Sequence, residues 1–133
     1  PDSIKQAQDA IRWADHLVIF YPLWLGSMPA LLKAFLEQVF RPGVAFEYRA
    51  QGKMAKKLFT GKSARIVVTM GMPALVYRWF FLAHSLKSLE RNILAFCGIK
   101  PTRATLIGQV EGMNERQRAS WLDEMRGLGD VGK

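Results

Sequence analysis

Cysteine is nearly absent: Cys97 is the sole thiol in 133 residues. One thiol cannot close an internal disulfide, nor build a structural zinc centre by itself. No metal site is expected, and this cysteine usage fits a reducing, cytoplasmic compartment. Long apolar runs are missing as well. Residues 17–34 come closest, but Pro22, Gly26, Pro29 and Lys33 interrupt them, so no transmembrane segment is expected where spanning takes about 20 apolar residues. Asp2, Lys5 and Asp9 break any apolar leader core near the first residue, Pro1, so no signal peptide is expected. Acid is absent from residues 48–89, where Arg49, Lys53, Lys56, Lys57, Lys62, Arg65, Arg78 and Lys87 equal the whole net charge of +8. Such a block points either to an anionic partner or to a solvated face. Its lysine-rich segment lacks interleaved exposed aromatics and any recognition motif, which argues against nucleic acid.

Apolar residues make up 50% of the chain, enough to exclude wholesale disorder and to build one domain over residues 1–133. Ser3 is placed to cap a helix carrying Ile4, Ala7, Ala10, Ile11 and Ala14 on one face. Residues 17–21, Leu-Val-Ile-Phe-Tyr, form a continuous apolar run ending at Pro22, the pattern of a strand buried on both faces of a parallel sheet. Ser27 can cap a second helix with Leu31, Leu32, Phe35, Leu36 and Val39 in one stripe, stopped by Arg41-Pro42-Gly43. Residues 44–63 read as a long surface excursion with a short hairpin around 45–48. A second buried strand covers 65–70, a long amphipathic helix 75–96 ends at Gly98, and a third strand covers 104–108. Asn114 caps a last helix running to Gly127. This alternation specifies an α/β fold, a parallel sheet with helices on both faces.

Ligands of such sheets sit beyond the carboxyl ends of the strands. Two segments occupy those positions, Pro22-Leu23-Trp24-Leu25-Gly26-Ser27 and Thr69-Met70-Gly71-Met72-Pro73. Each combines Gly or Pro with apolar side chains, which suits a flat ring whose polar edge is held by main-chain N–H groups.

Residues 14–33, ADHLVIFYPLWLGSMPALLK, and 39–46, VFRPGVAF, resemble the flavodoxin-like NAD(P)H:quinone oxidoreductases, with their apolar strand, Pro-Leu-x-Trp loop and Val-Phe-x-x-Gly-x-Ala-Phe pattern. Residues 67–71 and 93–99 match in the same order, and the resemblance covers residues 9 to about 126. It implies a flavodoxin-like three-layer α/β/α fold and an NAD(P)H dehydrogenase (quinone)-like enzyme. That enzyme passes hydride from NAD(P)H through a flavin, FMN or FAD with FMN favoured, to a quinone-like acceptor. By the same resemblance Pro22, Leu23, Trp24, Leu25 and Gly26 line the flavin ring. Thr69, Met70, Gly71 and Met72 meet its polar edge, Tyr77 and His84 are the catalytic candidates, and a homodimer builds the substrate pocket around the aromatics near Trp79, Phe80 and Phe81.

The sequence departs from that family in three places. The family's opening strand and phosphate-gripping loop have no counterpart, which would leave 17–21 at an open sheet edge; the expectation is that the natural chain continues upstream. Tyr77 matches only across a gap, and Trp79 lies nearer than His84 to the family's histidine. The second loop reads Thr-Met-Gly-Met instead of Thr-Thr-Gly-Gly. These departures keep open an alternative, a flavodoxin-like regulatory or interaction subunit such as those ancillary to potassium-efflux systems. Among other candidates, Cys97 reads as a buried inert thiol, and His16 and Asp15 as structural. Lys56 and Lys57 are candidates for a phosphate of NADPH.

Overall fold

The computed structural model describes residues 1–50, 55–79, 81 and 83–133. Phe80, Lys53 and the rest of 51–54 lie outside them. Among the described residues the strands and α-helices run in the order α1 (Asp2–Trp13), β1 (His16–Pro22), α2 (Ala30–Val39), β2 (Phe46–Glu47), β3 (Lys56–Lys57), β4 (Ser63–Thr69), α3 (Ala74–Trp79), α4 (His84–Lys87), β5 (Thr102–Ile107) and α5 (Glu115–Asp130). A π-helical turn, Ser88–Leu94, and a 3-10 turn, Ala95–Cys97, continue α4. Among the described residues no helix is long and apolar enough to cross a membrane.

Strands β1, β4 and β5 form a parallel sheet with β4 in the centre. Ile19 pairs with Ile66 and Val67 with Thr105. The apolar run of β4 is buried on both faces, as its sequence requires: Ala64, Ile66, Val67 and Val68 are at most 1% exposed. Ala64, Ile66 and Val68 belong to one core cluster with Tyr77, Leu86, Leu89 and Leu94 from the helical segment after β4. Arg65 interrupts the apolar run, and its Nη1 donates to Thr105 Oγ1 across the sheet at 2.9 Å.

Strand β1 departs from the expectation of burial on both faces. Leu17 and Ile19 pack against the core cluster that contains Tyr21, while Val18 and Phe20 are 50% and 61% exposed. Among the described residues β1 pairs with β4 alone, so its far edge and one face lack cover. A large apolar side chain left in water forgoes about 1.5–3 kcal/mol of burial energy.

Helix boundaries differ from the sequence reading in ways that local chemistry explains. Pro1, not Ser3, precedes the first turn of α1. Helix α2 starts at Ala30 after Pro29, because Ser27 is engaged with Trp24 in a turn. The helix expected over 75–96 is interrupted at Ala83, which takes a left-handed φ of 49°, and winds into π and 3-10 turns before Gly98 stops it with φ 97°. Strand β5 begins two residues early and ends at Ile107. The last helix has the expected start: Gln117 N–H donates to the Asn114 side chain, and the Gln117 side chain accepts from the Asn114 N–H. It runs on to Asp130. In the 44–63 excursion, Phe46 pairs with Lys57 and Glu47 with Lys56, so the hairpin spans the excursion instead of closing within 45–48.

That excursion distributes the basic block. Lys62 Nζ donates to Arg12 O at 2.8 Å and to Ala14 O, capping the carbonyl end of α1, where a cation is favoured. Lys62 and Arg65 are thus structural residues. Phe59 N–H donates to Cys97 O, and a Cβ on Gly98 would lie 3.1 Å from Lys57 Cβ. These contacts fix β3 near the amino end of β4, so Lys56 and Lys57 stand about 20 Å, one seven-residue strand, from its carboxyl end.

Candidate functional site

The carboxyl ends of the three parallel strands meet in backbone hydrogen bonds. Leu23 N–H donates to Thr69 O at 2.7 Å, tying the loop after β1 to the end of β4. Met70 N–H donates to Ile107 O and Val110 N–H to Met70 O, tying β4 to β5. Gln109 N–H donates to Met72 O. Three loops are therefore held as one rim: 22–27, 69–73 and 108–110. The third escaped the sequence reading, although Gly108 was a signal. A Cβ there would lie 2.4 Å from Ala74 N and 2.8 Å from Met72 O, so only glycine lets the two loops touch.

In the first loop, Trp24 N–H donates to Ser27 O and Ser27 N–H to Trp24 O, closing a two-residue turn at Leu25 and Gly26. Both turn residues have positive φ, 48° and 75°, the signature of a type I′ turn, which glycine accepts readily and leucine at a cost. The turn leaves Trp24 63% exposed and Leu25 fully exposed. Two large apolar side chains are thus presented to solvent at the ligand end of the sheet.

The main chain completes the arrangement. Among the described residues, the N–H groups of Leu25, Gly26, Gly71 and Met72 donate to nothing. A Cβ placed at Gly26 or Gly71 would meet no atom within 4 Å, so both backbones are open to close approach. Free N–H donors beside an exposed indole fit a planar ring with acceptor atoms along one edge. A cavity of about 540 Å³ adjoins the loop, lined among others by Trp24, Ser27, Met28, Ser85 and Ser88; sites for cofactor-sized ligands run about 300–1,000 Å³.

A model of the Flavodoxin_2 family, a flavodoxin-like fold, matches residues 1–127. The chain belongs to that family. It is 28% identical over 124 residues to an uncharacterized NAD(P)H oxidoreductase of Haemophilus influenzae, covering 92% of this chain and 60% of that one. It is 38% identical over 93 residues to FMN-dependent NADH:quinone oxidoreductase 1 of Hahella chejuensis, covering 69% of this chain and 42% of the relative. Among solved structures, Smu.1420 of Streptococcus mutans UA159 superposes with a TM-score of 0.81 at 31% identity, covering 96% of this chain and 66% of that one. The chain thus spans about half the length of the curated relatives it matches.

Within this family frame, the sequence candidates divide. Pro22, Leu23, Trp24, Leu25, Gly26, Thr69, Met70, Gly71 and Met72 fall on the rim, with Met70 buried and Gly71 exposed. His84 is exposed at the first position of α4. Tyr77 is 1% exposed, and its hydroxyl lies 2.5 Å from Ser85 Oγ and accepts the Leu86 N–H. Within one chain it is thus a core residue whose phenol reaches the cavity only through Ser85. Tyr21, at the end of β1, carries no sequence signal that sets it apart from strand core. Its buried hydroxyl has no hydrogen-bond partner among the described residues. Burial first, then neighbouring Tyr77, pushes its pKa up to about 12.

Cys97, His16 and Asp15 take no part in the rim loops. Cys97 is 2% exposed, and burial raises its thiol to about 11, which leaves almost no thiolate at neutral pH. His16 Nδ1 and Ser63 Oγ are hydrogen-bonded at 2.7 Å at the amino end of the sheet. Ser63 N–H donates to Asp15 O, so Asp15 acts through its backbone at the helix-to-strand turn.

Proposed function

We propose that the protein is a flavin-dependent NAD(P)H oxidoreductase that uses FMN and reduces a quinone-like acceptor. The observation that carries this is the set of four free main-chain N–H groups, at Leu25, Gly26, Gly71 and Met72, beside exposed Trp24. The relatives' names, an FMN-dependent NADH:quinone oxidoreductase among them, point the same way. Bound there, FMN supplies the two-electron chemistry that no side chain of the rim can provide. Leu23, Trp24 and Leu25 give an apolar wall that excludes water from one side of a ring. Thr69, Gly71 and Met72 offer donors that favour negative charge developing at an acceptor edge.

The same reading treats residues 1–133 as part of a single flavodoxin-like domain, acting as a homodimer. Leu75, Val76 and Trp79 on α3 are 69%, 41% and 71% exposed. Apolar exposure concentrated next to the rim suits a subunit contact that would enclose the acceptor. His84, exposed next to the cavity-lining Ser85, is the side chain a partner or acceptor could meet directly. The distance of Lys56 and Lys57 from the rim argues against their holding a phosphate of NADPH within one chain.

Steady-state turnover tests this. Consumption of NADH or NADPH should require both added FMN and a quinone such as duroquinone. Absence of turnover with excess FMN and either nicotinamide would sink the assignment.

A further inference from the structure

Behind the rim lie three buried hydroxyls whose hydrogens cannot all be accepted within the cluster. Tyr77 Oη accepts the Leu86 N–H at 3.3 Å and is 2.5 Å from Ser85 Oγ. An amide N–H cannot accept a hydrogen bond, so the Tyr77 phenol must donate to Ser85 or bury an unsatisfied hydrogen. Ser85 therefore accepts from Tyr77 and keeps a hydrogen of its own. Tyr21 stands beside Ser85, 3% exposed. The Tyr21 hydroxyl makes no hydrogen bond to Tyr77 or to Ser85 in this arrangement; even with a bond to Ser85 the three hydroxyls would form an open chain, so one hydrogen is surplus. Glu90 acts on Tyr21 through its charge and makes no hydrogen bond to it among the described residues.

The surplus hydrogen has two exits. Tyr21 is sealed in the core, whereas Ser85 lines the cavity that Trp24, Ser27, Met28 and Ser88 also line. With Tyr21 turned toward Ser85, both phenols are satisfied and the free hydrogen is the serine's, at the cavity wall. We propose that Ser85 is a binding residue whose hydroxyl donates to a ring carbonyl of a planar molecule seated against Trp24. Tyr77 is the positioning residue that fixes its rotamer. The carbonyl is one of the flavin ring or of a quinone acceptor, two sources with the same chemistry. This inference rests on the oxidoreductase reading and adds to it the group that Ser85 recognises.

The test uses the full-length protein with Ser85→Ala, Ser85→Thr and Tyr77→Phe, each checked for folding by its thermal melt. FMN affinity is read by quenching of flavin fluorescence without nicotinamide, and the KM for duroquinone is read on FMN-saturated enzyme. Ser85→Ala should weaken one of the two by about 5- to 150-fold, the range for leaving a buried polar partner unpaired. Ser85→Thr, which keeps the hydroxyl, should stay within about 3-fold of wild type. A loss in FMN affinity identifies the flavin carbonyl, and a rise in KM alone identifies the acceptor's. Tyr77→Phe should shift the same quantity in the same direction, which also serves if Ser85→Ala does not fold. Folded variants with wild-type values for both ligands would overturn the role of Ser85. A wild-type protein that binds neither FMN nor duroquinone would overturn the functional reading, and the role of Ser85 with it.

Discussion

Replacing Gly108 by alanine puts one methyl group where two site loops touch. The added Cβ would lie 2.4 Å from Ala74 N, 2.8 Å from Met72 O and 3.1 Å from Pro73 C. All three are backbone atoms, so no side chain can rotate away and the 72–74 segment must move. Overpacking of this kind costs about 1–3 kcal/mol. Removing a glycine from the unfolded chain returns about 0.4–1 kcal/mol. The net expectation is a loss of about 1–2 kcal/mol, measured as a lower urea midpoint with unchanged slope. Because Gln109 N–H donates to Met72 O, the same shift disturbs the rim, and FMN affinity should fall by about tenfold. Gly71→Ala is the control, since a Cβ there meets nothing within 4 Å; its stability should change by less than about 0.5 kcal/mol. If Gly108→Ala were as stable as wild type with unchanged FMN affinity, the contact between the loops after β4 and β5 would be refuted.

Three further outcomes follow from individual groups. Asn114→Ala removes the side-chain oxygen that accepts the Gln117 N–H in the capping box at α5 and should cost about 1 kcal/mol in denaturant unfolding. Tyr21 is held protonated above its unfolded range, so its contribution is full below about pH 10 and lost as pH rises toward about 12; stability against pH should fall across that window, and less steeply in Tyr21→Phe. Cys97, buried with its thiol near 11, should resist iodoacetamide at pH 8 in the native protein and react promptly once urea unfolds it.

Much of the fold was legible because parallel strands announce themselves. The run at 65–70 could bury its apolar residues on both faces, and Ile66, Val67, Val68 and Met70 are buried. The run at 17–21 carried the same signal, yet Val18 and Phe20 are exposed; an apolar pattern reports what a strand can bury, while neighbours decide what it does bury. The break at Ala83 was illegible, since alanine is a strong helix former, yet here it takes a left-handed φ and its N–H donates to Tyr77 O. Ser27 looked like a cap because serine suits caps, but the turn at Leu25 and Gly26 captured its backbone first.

At the site, the loops after β1 and β4 could be read from Gly, Pro and Trp at strand ends. The loop at Gly108 could not, because its constraint is a contact with residues more than thirty positions away. Tyr77 shows the converse. The family resemblance made it a catalytic candidate, while its burial and its bond to Ser85 place it behind the cavity wall. The basic block likewise resolves into separate roles only in three dimensions, with Lys62 capping α1 and Arg65 bridging to Thr105.

The most direct test of the account is the visible spectrum of the purified full-length protein, supplied with FMN and then reduced without oxygen. The account predicts stoichiometric bound flavin whose oxidised band bleaches on adding NADH or NADPH and returns on adding duroquinone. A protein that retains no flavin in excess FMN, or whose flavin neither nicotinamide reduces, would contradict it.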